Sequence, residues 1–112
     1  MTKTTNFEIS KKLEEIGFNQ ETNFYYRKND KELFINTPPN LKNSEEFFLK
    51  SYDLATLLDV LPDTIGGCLM IHKEGMYYQE SMVEVQKLEN ESLADTAGRM
   101  IIELYNNNLI KF

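Results

Sequence analysis

Two pairs of short β-forming runs alternate with three helical segments along the 112 residues, and the order helix, hairpin, helix, hairpin, helix leaves few folds open. Hairpins pair neighbouring runs antiparallel, and single intervening helices must cover one side of the resulting sheet. The expected class is α+β: an antiparallel sheet from two hairpins, with about three helices packed mainly on one face. A chain of this length builds one hydrophobic core, so residues 1–112 are read as a single domain.

The local signals place these elements. Ile9, Leu13 and Ile16 recur at helical spacing, Thr5 and Glu8 fit a capping box, and Gly17 is placed to stop the helix, predicted at about residues 6–16. Asn23 to Lys28 and Glu32 to Thr37 read as strands joined through Asn29, Asp30 and Lys31. Pro38 and Pro39 end that ladder, and residues 40–46 read as a flexible loop. The run Phe47, Phe48, Leu49 fits strand or helix equally. Asp53 caps a second helix whose stripe is Leu54, Leu57, Leu58 and Leu61, with Leu58 expected in the core, and Pro62 stops it. Gly66 and Gly67 open a strand from Cys68 to Lys73, and Glu74 and Gly75 turn it back into Met76 to Glu80. Val83 and Val85 extend that strand or form another. The last helix runs from about Ser92 to Tyr105, with Ser92 and Asp95 at capping-box spacing and Leu93, Ala97, Met100, Ile101 and Leu104 facing inward.

Charge and cysteine usage narrow the function classes. With 12 Lys and Arg against 18 Asp and Glu, the net charge of -6 disfavours counterion-driven binding to nucleic acid or anionic lipid. Neither a nucleic-acid nor a membrane partner is expected, since no stretch approaches the roughly 20 apolar residues that cross a bilayer. Met1 to Phe7 lacks the apolar run of a signal peptide, and the single cysteine, Cys68, cannot form an intrachain disulfide. A reducing cytoplasm is the expected location.

Catalytic signals are sparse. His72, the only histidine, lies four residues from Cys68 along a predicted strand, a separation of about 13 Å that excludes a dyad on a regular strand. One Cys and one His do not make a zinc site. Gly66 and Gly67 precede a strand, whereas phosphate-cradling glycines open a helix. Asp59, Asp63, Glu80, Glu84, Glu89 and Glu91 would have to meet in a cleft to do acid-base work. No catalytic residue, cofactor or metal ligand is therefore assigned.

Tyr25, Tyr26, Tyr77 and Tyr78 form the candidate interaction surface. Consecutive strand residues point to opposite faces, so each pair offers one tyrosine to each side of the sheet, and tyrosine combines contact area with a hydroxyl. In the second hairpin Leu69 and Ile71 oppose Cys68 and Met70, so both faces carry apolar side chains. The face that the helices leave uncovered should pair with a second copy, with a foreign partner or with a locally folded loop.

The run Leu54-Ala55-Thr56-Leu57-Leu58-Asp59-Val60-Leu61-Pro62, followed by Ser92-Leu93-Ala94-Asp95-Thr96-Ala97 and by Met100-Ile101-Ile102-Glu103-Leu104-Tyr105, carries a resemblance. From Ser51 to Phe112 the chain resembles a group of small uncharacterised proteins of bacterial genomes and their phages or prophages. The group supplies no catalytic residues. The sparse catalytic signals and the tyrosine face point to a non-enzymatic accessory protein, with an unidentified protein as the expected partner, and the resemblance implies the mobile-element type. The alternatives are a small enzyme with a carboxylate-lined cleft and an acidic DNA mimic.

Overall fold

Asn6 opens the first helix. Its backbone is extended, and its Oδ1 accepts the Ile9 N–H at 2.8 Å at the start of α1 (Phe7–Glu15). Thr5, expected as the cap, is instead drawn towards a strand: its N–H donates to Tyr52 O at 2.9 Å, and its hydroxyl meets those of Ser10 and Ser51. Gly17 follows the helix at φ +92°, the left-handed conformation expected of its stop signal. The computed structural model describes residues 4–35, 48–62, 69–72, 75–78 and 84–112.

The first hairpin joins β1 (Phe24–Arg27) to β2 (Leu33–Ile35), with Lys31 taking a positive φ of 59° in the connection. Of the ambiguous run, Phe48 and Leu49 lie in β3 (Phe48–Ser51), antiparallel to the other side of β1, and Phe47 lies outside the described residues. Leu49 and Ser51 are buried while Phe48 and Lys50 are half-buried, the period of two that a half-covered strand produces.

Asp53 caps α2 (Leu54–Val60) by accepting the Thr56 N–H at 2.9 Å. Leu61 is already extended ahead of Pro62, which disfavours helical backbone in the residue before it. Leu57 takes the fully buried position expected of Leu58, which packs half-buried at the margin of the core. The second hairpin pairs β4 (Leu69–His72) with β5 (Gly75–Tyr78), and Val85 lies in a separate strand, β6 (Glu84–Gln86), on the far side of β5. Ser92 Oγ accepts the Asp95 N–H at 3.1 Å and starts α3 (Leu93–Asn106).

Among the described residues the protein is α+β, with three helices and two antiparallel three-stranded sheets ordered β2-β1-β3 and β4-β5-β6. The two hairpins thus belong to separate sheets, each completed by a strand that the hairpin signals did not announce. Between them, after Tyr52 and Asp53, comes α2, which packs on α3. α3 contacts α1, α2, β5 and β6, while α1 also packs on β3. Ala97, Met100, Ile101 and Leu104 of α3 are fully buried, and the core they anchor draws in Leu13, Leu57, Met76 and Tyr78. Gly98 lets α1 approach, since a Cβ there would stand 2.6 Å from Ile9 Cγ2. No helix among the described residues is long and apolar enough to cross a membrane.

The expected loop at 40–46, Pro38, Pro39, the Gly66–Gly67 turn, Cys68, Glu74, Glu80 and Val83 lie outside the described residues.

Candidate functional site

The register of the first sheet sets Tyr25 between Phe34 and Lys50, and Arg27 beside Phe48, all on one face. The Arg27 guanidinium lies 5.1 Å from the centre of the Phe34 ring, which meets Phe48 edge-on at 6.2 Å. The turn after α1 adds to this face. Gly17 N–H donates to Glu14 O and Phe18 N–H to Leu13 O, which brings Phe18 edge-on to Tyr52 with ring centres 4.7 Å apart. Between the turn and the strands lies a cleft of about 350 Å³, walled by Phe18, Tyr25, Phe48 and Tyr52, with Ser10, Glu14, Asn19 and Lys50 as its polar members.

Each polar group in this cleft has a defined state. Lys50 Nζ donates to Asn19 Oδ1 at 2.6 Å and to Gln20 O at 3.0 Å. Glu14 is matched by Lys28 at 3.4 Å. Tyr52 is 2% exposed, its hydroxyl accepts the Gln20 N–H at 3.4 Å, and burial pushes its pKa up to about 12. It therefore stays neutral across physiological pH and acts as an aromatic wall. A second cleft of about 440 Å³ shares Tyr25 and Lys50 and is lined further by Glu21, Thr22, Asp53 and Thr56. Lys50 thus stands in the wall common to the two.

A third cleft, of about 410 Å³, lies among α1, β6 and α3, beside Lys12, Glu84, Arg99 and Glu103. Its main cation is already engaged: Arg99 pairs with both oxygens of Glu91 at 2.8 Å and donates to Gln86 O. Burial pushes the Glu91 carboxyl up, but hydrogen bonds from Arg99, the Leu88 N–H and Thr96 outweigh it and hold the pKa below the ordinary value.

The four candidate tyrosines do not form one surface. Tyr25 is buried and lines both clefts of the first sheet, while Tyr26 lies on the opposite face, donates its hydroxyl to Thr5 O at 3.1 Å and meets Phe7 edge-on. Tyr78 is fully buried in the second sheet with its hydroxyl donated to Pro62 O at 2.7 Å, so it presents no area to a partner. Tyr77 is half-buried on the other face of β5.

The apolar surface expected on the second hairpin is small among the described residues. Ile71 is exposed at 44%, but Leu69, Met70 and Tyr77 are half-buried and Met76 is buried. The more exposed apolar strand is β2, with Leu33 at 41% and Ile35 at 68%. Of the surveyed carboxylates, Asp59, Glu84 and Glu89 are exposed and Glu91 is held by Arg99, while Asp63 and Glu80 lie outside the described residues. His72 pairs through its backbone with Gly75, and Cys68 lies outside the described residues. No cluster of three His, Cys, Asp or Glu side chains that could hold a metal ion occurs among the described residues.

Lys50, Asn19, Phe18 and Phe48 were not singled out by sequence reasoning, since 31 positions separate Asn19 from Lys50 and neither belongs to a motif. The one local signal is a lysine set among aromatic and apolar residues from Phe47 to Tyr52. In comparison with known proteins, no family model, no curated protein and no solved structure matches the chain.

Proposed function

We propose that the chain is a non-enzymatic binding protein, cytoplasmic and of mobile-element type, that engages a protein partner through the cleft beside Tyr25 and Lys50. The observation that carries this reading is the cleft itself: Tyr25, Phe48 and the oriented cation Lys50 sit on a strand pair, joined by Phe18 from the turn after α1 and Tyr52 just past β3. The groups lining it are engaged in structure rather than arranged as a nucleophile and its base. Ser10, 1% exposed, is bonded to Thr5, and Glu14 to Lys28. The net charge of -6 supports a protein rather than a nucleic acid or an anionic lipid surface as partner. The mobile-element origin rests on the resemblance in residues 51–112.

Phe48→Asp tests this reading, because it places a charge in the aromatic wall at a half-buried position. Affinity capture from the native host should recover a partner with the original chain and lose it with Phe48→Asp, which still unfolds in one cooperative transition. Equal recovery by both chains removes the cleft as the binding site.

A further inference from the structure

We infer that the partner enters this cleft with a C-terminal apolar residue, whose free carboxylate pairs with Lys50. This rests on the reading of the cleft as the binding site. The Lys50 ammonium has three donors, of which Asn19 Oδ1 and Gln20 O take two. Those neutral oxygens fix its direction and leave its charge unmatched, and no ion pair joins it to a carboxylate among the described residues.

The acids of the two clefts do not supply the missing charge. Glu14 is matched by Lys28, Asp53 caps α2, and Glu21 is exposed, where water and salt screen it. The ammonium of a half-buried lysine, with one unassigned proton, is matched by one carboxylate, charge for charge. A phosphate dianion would need further donors, and a cationic ligand would meet Lys50 itself. The charge-assisted bond so formed is stronger than one between neutral groups.

The two clefts then favour a chain end over a simple acid. They meet at Lys50 and Tyr25. A C-terminal residue branches at its Cα. Its carboxylate rests on Lys50, its apolar side chain enters the aromatic cleft of about 350 Å³, and the preceding main chain leaves along the cleft of about 440 Å³, past Thr22 and Thr56. Backbone donors and acceptors of an incoming chain suit that second lining, where Asn23 and Thr56 supply polar side chains, while the Thr22 hydroxyl is engaged with Ser51 O and the Phe24 N–H.

The experiment titrates three probes into the isotope-labelled protein: the pentapeptide Gly-Gly-Gly-Gly-Phe with a free carboxylate, its C-terminal amide, and N-acetylphenylalanine. Amide resonances of Phe18, Asn19, Gln20 and Lys50 report the cleft. The free-acid peptide should bind about tenfold more tightly than the amide, a preference that Lys50→Met abolishes while the spectrum keeps its native dispersion. If acid and amide shift these resonances equally, the carboxylate inference falls and the cleft remains a binding site. If N-acetylphenylalanine matches the peptide, the chain-end assignment is overturned. Failure of all three probes to shift the cleft resonances at millimolar concentration removes the inference and the underlying reading together.

Discussion

In the β4-β5-β6 sheet the central strand lays Met76 and Tyr78, both fully buried, under α3, and Val85 of β6 joins them in the core. In the β2-β1-β3 sheet the central strand contributes nothing to that core, and the join to the helices runs through β3. There, beside Leu49 and Tyr52, sits a buried polar node. Thr5 O accepts from the hydroxyls of Ser51 at 2.7 Å, Tyr26 at 3.1 Å and Ser10 at 3.3 Å, and Thr5 Oγ1 accepts the Tyr52 N–H at 3.2 Å. Asp95 of α3 adds its Oδ1 to the Asn6 N–H at 2.6 Å. One sheet is held mainly by apolar burial and the other largely by directed hydrogen bonds.

The difference decides where a site can form. Apolar burial consumes the inner face of a sheet and is non-directional, scaling with the area removed from water. A hydrogen-bonded node fixes orientation through a few atoms, because every buried polar group must find its partner at a set distance and angle. The first sheet is thereby positioned by one strand and the turn residues beside it. Its other face keeps Tyr25, Phe48 and Lys50 available to line clefts.

The sharpest way to break this comparison is a pair of truncations. Tyr78→Ala should cost about 3–5 kcal/mol, from lost transfer energy and a residual cavity, while Ile35→Ala on the exposed outer strand of the other sheet should stay within about 0.5 kcal/mol. Chemical denaturation reads both, and similar losses would show that the first sheet shares the apolar anchoring of the second.

A smaller effect tests the node. Thr5→Val keeps the shape of a fully buried side chain and removes the oxygen that accepts the Tyr52 N–H, so stability should fall by about 1–3 kcal/mol. A neutral result would mean that the hydroxyls of Ser10 and Ser51 suffice and that Leu49 and Tyr52 hold the sheet by burial alone.

The smallest effect lies in pH dependence. Burial pushes the Asp95 carboxyl above its ordinary value of 3.8, against the opposing hydrogen bonds from Asn6 and Ser92. A carboxyl raised in the folded state favours folding while protonated, and that contribution is lost as pH rises from the ordinary value through the folded one. Relative to Asp95→Asn, the unaltered protein should therefore lose stability with rising pH in that window. The difference cannot exceed one proton, about 1.4 kcal/mol per pH unit. Urea unfolding of both chains at a series of pH values measures it, and a difference of opposite sign would mean that the Asn6 N–H outweighs burial.

Much of the local structure was legible because it is written in short-range chemistry. Asp53 and Ser92 cap helices, Gly17 adopts a positive φ, and Ala97, Met100, Ile101 and Leu104 face inward, since each depends on neighbours within a turn or two. The sequence was less informative where a local signal competed with a distant partner. Thr5 matched a capping box, but Ser51, 46 positions away, offered its hydroxyl a buried partner and Asn6 took the cap.

The α+β class and the antiparallel pairing of neighbouring runs thus followed from periodicity, turn residues and caps. Tertiary structure alone decided the division into two sheets and the fate of each tyrosine, because helix packing sets which face of a strand is covered. It also made the cleft at Lys50. Asn19, Gln20 and Lys50 share no local pattern, and only the packing of α1 on β3 brings their oxygens to one ammonium.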